Sequence, residues 1–146
     1  MPGTDRVHVL IVANRTAATP KLLDQVRDRA AQGQCVFTLI VPQLPSAGEE
    51  EARETLALAL PLLEDATGGA VEGLVGPSDA FLAVQQITVK QRVDEVIVST
   101  LPQTVSHWLK RDLPARVKQL GLPVTVVTAK QTGRPRNLPP LTPVGR

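Results

Sequence analysis

The chain has 146 residues, 42% hydrophobic and 21% charged, with a net charge of +2; this suits one globular domain with a sizeable core and excludes a wholly disordered chain. Only Phe37, Phe81 and Trp108 are aromatic, too few for the stacking platform of a single-strand nucleic-acid binder. The eighteen residues Ala129 to Arg146 hold four cations (Lys130, Arg134, Arg136, Arg146) and no acid, so the remainder carries −2 and offers no basic groove for a duplex.

The first apolar run is Val7–Ala13, VHVLIVA. It is rich in β-branched residues and reads as a strand. The stretch before it lacks a signal-peptide pattern. Thr19-Pro20 then gives a helix start, a capping residue followed by Pro at the first helical position. Leu22, Leu23, Val26 and Ala30 share a face of that helix, and Gly33 sits where a C-terminal cap belongs.

Cys35–Val41 is the second strand. Cys35 is the lone cysteine, which rules out an internal disulfide and fits a reducing compartment; its place in an apolar run predicts a buried, inert thiol. A long helix follows from about Glu49 to Ala66. Ala52, Leu56, Ala59, Leu60 and Leu63 form its stripe, and Glu49–Glu51 suit the positive end of its dipole. Pro61 is expected to kink it.

Val71–Val75 reads as the third strand. Ser78 or Asp79 then caps a helix that turns Leu82, Ala83, Ile87 and Phe81 toward the sheet. Glu95–Ser99 is the fourth strand. A helical region follows from Gln103 to Leu120, carrying Trp108 as a core anchor and expected to break at Pro114. Pro123–Thr128 is the fifth strand. The first, second and fifth strands are nearly continuous in apolar character, which predicts cover on both faces. Residues 1–129 thus form an α/β domain, and residues 130–146 a Pro/Arg-rich tail expected to be disordered.

Strand–helix alternation with this spacing implies a single-domain, open, parallel five-stranded sheet with helices on both faces. Ligands bind such sheets beyond the carboxyl ends of the strands, where the strand order switches. The loops there read Asn14 to Thr19, Pro42-Gln43, Gly76-Pro77-Ser78, Thr100 to Thr104 and Ala129-Lys130. The first offers Asn14, Arg15 and Thr16 beside a helix N-terminus, a combination that can hold an anion. The fourth adds the hydroxyls of Ser99, Thr100, Thr104 and Ser106 near His107 and Arg111. In both loops capping and turn chemistry account for the same residues, and no partner makes His107 a general base. His8 lies at the wrong end of the sheet for a site.

Sharper chemistries are missing. There is no GxGxxG and no GxxxxGK[ST], no metal-ligand spacing and no G-x-S-x-G elbow. A phosphoacceptor reading fails because Asn14 and Gly76-Pro77 stand where acids are needed. No catalytic constellation is found, so the chain reads as non-enzymatic.

Three segments carry a family likeness: HVLIVANRT, VDEVIVST and ARVKQLGLPVTVVTA. The chain resembles the universal stress protein family over about Arg6 to Ala129. That resemblance implies an adenine nucleotide alpha hydrolase-like fold, strand order 3-2-1-4-5, a homodimer and a stress-response role. It places a ligand site at Ala13, Asn14, Arg15, Thr16, Val41, Ser99, Thr100, Leu101 and Arg111. Members that bind ATP carry Gly-x-x-Gly after the fourth strand and a later Gly-Ser or Gly-Thr. Here Ser99 and Pro102 stand at the first two glycine places, and Arg111 and Asp112 near the last pair. Pro102 has no N–H to donate to a phosphate, and a side chain fills the space that glycine leaves open. These departures argue against ATP or another adenine nucleotide as cofactor. The expectation is a cytoplasmic regulatory or stress-response module acting by dimerisation through the fifth strand or by binding a protein, with neither nucleic acid nor membrane as partner. The alternative is a sensor for a nucleotide or other phosphorylated ligand at the ends of strands one and four. An adenylating enzyme would need a signature loop after strand one that ANRTAAT lacks.

Overall fold

Five apolar runs become five strands: β1 Val7–Val12, β2 Cys35–Pro42, β3 Val71–Gly76, β4 Glu95–Thr100 and β5 Val124–Thr128. Between them lie α1 Pro20–Ala31, α2 Gly48–Thr67, α3 Ala80–Lys90 and α4 Leu113–Gln119. The computed structural model describes residues 7–13, 17–43, 48–100 and 113–128. Every strand pairing is parallel, and the order across the sheet is β3-β2-β1-β4-β5. The single-domain architecture and strand order expected from the sequence are both present.

The sheet buries both faces because its strands are apolar at successive positions. Val9, Ile11, Phe37 and Leu39 point to one side, where Leu22 and Val26 of α1 and Ala52, Ala59 and Leu63 of α2 cover them. Leu10, Val12, Ile40, Val96 and Val98 point to the other, under Ala83, Val84 and Ile87 of α3 and Leu113 and Val117 of α4. Each fully buried Leu or Ile contributes about 1.5–3 kcal/mol.

Some local expectations are corrected. β5 is covered on one side only at its centre: Val127 is buried but Val126 is 49% exposed. It is an edge strand, so an apolar run there does not mean cover on both faces. Leu82 is exposed, and the third helix buries Ala80, Ala83, Val84 and Ile87 instead. Phe81 is half-buried and lies under the Arg116 guanidinium of α4, 4.0 Å from its ring centre, a cation–π contact between helices.

Gly33 follows α1, but the helix closes on Gln32 in ordinary right-handed geometry; left-handed glycines follow α2 and α4, at Gly68 (φ +79°) and Gly121 (φ +90°). α2 is one continuous helix through Pro61. That residue is exposed, so water can satisfy the carbonyl its ring leaves without a partner. Pro114 lies in the first turn of α4, where its missing N–H costs nothing; residues 101–112 are outside the described residues, and the expectations for the helical stretch before Pro114, for Trp108 and for His107 fall there. Cys35 is half-buried rather than buried.

Candidate functional site

β1 and β4 are sequence-distant strands that meet at the centre of the sheet. The chain crosses to opposite sides from this pair, which makes their carboxyl ends the switch point where an open α/β sheet leaves a crevice. Their register runs to Val12 beside Val98, so Ala13 and Ser99 come next on the two strands. Both are fully buried. The Ala13 N–H donates to the Ile40 carbonyl at 3.3 Å, which holds the end of β1 against β2. Val41, also fully buried, pairs with Val75 one strand further out. Thr100 ends β4 opposite Thr128.

Of the nine residues singled out in the sequence, Ala13, Val41, Ser99 and Thr100 are therefore gathered along the carboxyl edge of three neighbouring strands. Asn14, Arg15, Thr16, Leu101 and Arg111 lie outside the described residues, as do Pro102 and Asp112. Ser99 supplies the buried hydroxyl of this edge, and Ala13 and Val41 supply apolar wall.

α1 begins at the same edge. Thr19 takes the extended backbone of an N-cap (φ −75°, ψ 149°) without a side-chain capping bond, and Pro20 opens the helix. No acid stands in its first turn, so the positive end of the helix dipole is not neutralised by its own side chains. On the opposite face of the sheet α3 differs: the Asp79 carboxylate accepts from the Phe81 and Leu82 N–H groups at 3.0 and 3.2 Å and occupies that helix end.

Gly76, at the carboxyl end of β3, sets the distance between sheet and α3. A Cβ there would lie 2.9 Å from Ile40 Cδ1 and 3.0 Å from Ala83 Cβ. The glycine lets α3 approach beside the candidate edge.

The opposite edge of the sheet is closed by polar contacts. His8 Nδ1 donates to the Arg92 carbonyl at 2.6 Å, which leaves Nε2 as acceptor for the Thr38 hydroxyl at 2.8 Å in the neutral ring. The His8 N–H donates to Asp94 Oδ2 at 2.9 Å, and the Asp94 N–H returns to the His8 carbonyl. That N–H, aided by Arg92, holds the Asp94 carboxyl below the usual carboxylate range. Nearby, Arg29 of α1 grips Glu95 with Nε at 3.0 and 3.1 Å and with Nη2. Cys35 donates its S–H to the Arg29 carbonyl at 3.9 Å, and burial pushes the thiol pKa up against the pull of Arg29. These residues fasten β1, β2, β4 and α1 together. Sequence reasoning had no local signal for them, because His8 and Asp94 are 86 positions apart. Among the described residues no group of His, Cys, Asp and Glu could hold a metal ion, and no helix is long and apolar enough to cross a membrane.

No family model matches the chain, and no curated protein matches it by sequence. Solved structures do match it. The chain is similar to a universal stress protein crystallised in complex with cAMP, with a TM-score of 0.63 and 15% identity over 85% of this chain and 98% of that one. It is also similar to a universal stress protein from Archaeoglobus fulgidus, with a TM-score of 0.54 and 14% identity over 84% of this chain and 98% of that one. The chain has the universal stress protein fold.

Proposed function

We propose that the chain is a non-enzymatic, universal stress protein-like regulatory module that acts in the cytoplasm by pairing with a second copy through β5. The observation that carries this reading is the character of that edge. Val124–Thr128 contains no charged residue, and Val126 is 49% exposed. The other edge, β3, places the charged Glu72 in solvent. Charge on an edge strand opposes pairing, and its lack invites it. Sedimentation velocity from 1 to 200 µM is expected to show a dimer that Val126→Lys converts to a monomer. A wild-type monomer at every concentration overturns the reading.

A second reading, a sensor for a nucleotide or other phosphorylated ligand, is favoured by the likeness to a stress protein crystallised with cAMP. Its site is Ala13, Asn14, Arg15, Thr16, Val41, Ser99, Thr100, Leu101 and Arg111. Calorimetric titration with ATP, AMP and cAMP tests it, with Arg15→Ala and Arg111→Ala as weakened variants. No heat at millimolar ligand removes this reading and leaves the first intact.

A further inference from the structure

The outer face of α2 has an unusual composition for a surface helix. Its inner face is already satisfied by Ala52, Ala59, Leu63 and Ala66. Yet Leu58 and Leu62 stand outside at 72% and 44% exposure, with Ala57 and Pro61 exposed beside them. A helix of this kind normally turns polar residues outward. Leu58 and Leu62 are four residues apart and share one stripe. The same stripe continues to exposed Glu54 before them and exposed Asp65 after them. It therefore reads acid, apolar, acid, over about 16 Å from Glu54 to Asp65 at 1.5 Å per residue.

Its charge is also lopsided. α2 holds six acids (Glu49, Glu50, Glu51, Glu54, Glu64, Asp65) and one cation, Arg53, which pairs with Glu49. Its last turn has no basic residue. The first three acids suit the positive end of the helix dipole, but Glu64 and Asp65 lie at the negative end, where a cation is wanted. Glu64 accepts the Val71 N–H at 3.2 Å. Asp65 has no such relief among the described residues.

The chain itself supplies a complementary segment. Residues 129–146 contain Lys130, Arg134, Arg136 and Arg146 and no acid. Between Arg136 and Arg146 run Leu138, Pro139, Pro140, Leu141, Pro143 and Val144, so the order is basic, apolar, basic. Reach is sufficient. β5 ends at the carboxyl edge of the sheet, and α2 starts from that same edge because it follows β2. Four strand spacings separate β5 from β3, about 19 Å at ~4.8 Å each. The ten residues from the end of β5 to Leu138 span up to ~35 Å when extended.

We propose that residues 130–146 dock in cis on the outer face of α2, with Leu138 and Leu141 covering Leu58 and Leu62 and the flanking arginines facing Glu54 and Asp65. The interaction covers the exposed leucines and places a cation beside the acid at each end of the stripe, one of them at the negative end of the helix dipole. Its charge component is solvent-exposed, so it weakens with salt.

Paramagnetic relaxation in the full-length protein tests this. A spin label goes on Thr142→Cys in a Cys35→Ser background, and the amides of the ¹⁵N-labelled chain are observed. In 50 mM salt the Leu58 to Asp65 amides are expected to lose more than half their intensity, while those of α3 do not. Glu54→Lys with Asp65→Lys, both exposed and remote from the core, should restore at least half of that loss, as should 1 M salt. A mixture of spin-labelled ¹⁴N chains with unlabelled ¹⁵N chains separates the occupants: the cis arrangement predicts no loss there. Selective loss in the mixture identifies the tail of a second copy and overturns the proposal. Uniform loss, no loss at α2, or loss that survives charge reversal also overturns it.

Discussion

Gly73 and Gly76 lie on the same strand, and a Cβ at either would be too close to its neighbours. At Gly73 the nearest atoms would be Leu60 Cδ1 at 2.7 Å and Leu56 Cδ2 at 2.9 Å. At Gly76 they would be Ile40 Cδ1 at 2.9 Å and Ala83 Cβ at 3.0 Å. Distance alone ranks Gly73→Ala as the worse substitution. The identity of the atoms reverses that order. Leu56 and Leu60 meet Gly73 with the tips of long side chains that are only half-buried, and those tips can rotate away. Ala83 Cβ has no rotamer and moves only with α3, and Ile40 is buried in the core. Overpacking a fixed contact costs about 1–3 kcal/mol, while replacing Gly returns about 0.4–1 kcal/mol through the unfolded chain. Gly76→Ala is therefore expected to destabilise by roughly 1–2 kcal/mol and Gly73→Ala by less than about 0.5 kcal/mol. At this size 1 kcal/mol is worth about 3 °C, so thermal melts beside urea titrations resolve the two. Ile40→Val removes the atom closest to the new Cβ, and the double variant Gly76→Ala/Ile40→Val should be more stable than additivity predicts by at least about 0.5 kcal/mol. A Gly73→Ala variant less stable than Gly76→Ala, or strict additivity in the double variant, refutes this account of how α3 is seated.

Asp79→Ala removes the carboxylate that accepts from the Phe81 and Leu82 N–H groups and should cost about 1 kcal/mol by urea unfolding, with Asp79→Asn largely retaining stability. Asp94 has its folded pKa lowered, first by the His8 N–H and then by Arg92; its contribution is fully present above the unfolded value of ~3.9 and is lost as pH falls through the lower folded value. The loss of unfolding free energy between pH 5 and pH 2.5 should thus be smaller in Asp94→Asn than in wild type. Burial raises the Cys35 thiol pKa, so iodoacetamide at pH 7.5 should alkylate it several-fold more slowly than a free thiol, and urea should abolish the difference.

Architecture was legible because both kinds of element leave local marks. Val9 to Val12 and Phe37 to Val41 are buried without a break, and continuous apolar runs of that length between glycine, proline and cap residues are what central parallel strands require. The misjudged positions share a cause: they depend on lateral placement, which local pattern does not encode. Val126 is as apolar as Val98, its partner in β4, yet Val98 has a strand on either side and Val126 has one. Leu82 lies in the same turn of α3 as Ala83 and Ala80, but the small residues face the sheet because Gly76 brings the helix close. A reading that ranks residues by hydrophobicity turns the larger side chain inward, whereas a close helix–sheet approach admits the smaller one.

The candidate site was legible only as an edge, and that too has a physical reason. Its described residues are a buried alanine, a buried valine, a buried serine and a strand-terminal threonine, none of which advertises chemistry by type. Position makes the edge, because parallel order and the β1–β4 switch bring Ala13 and Ser99 together from 86 positions apart. The same 86-residue separation joins His8 to Asp94 at the opposite edge. There polar side chains meet one another and close the sheet. At the carboxyl edge the backbone is gathered but the described side chains are small. At this edge α2 and α3 carry acids at their N-termini, whereas α1, which opens beside the β1–β4 switch, has no acid in its first turn. Asp79 at α3 shows that the fold tolerates an acid at such a position. A carboxylate introduced at α1 as Lys21→Glu should therefore leave the fold intact and weaken any anion bound at the β1–β4 edge, which separates the sensor reading from one that depends on β5 alone.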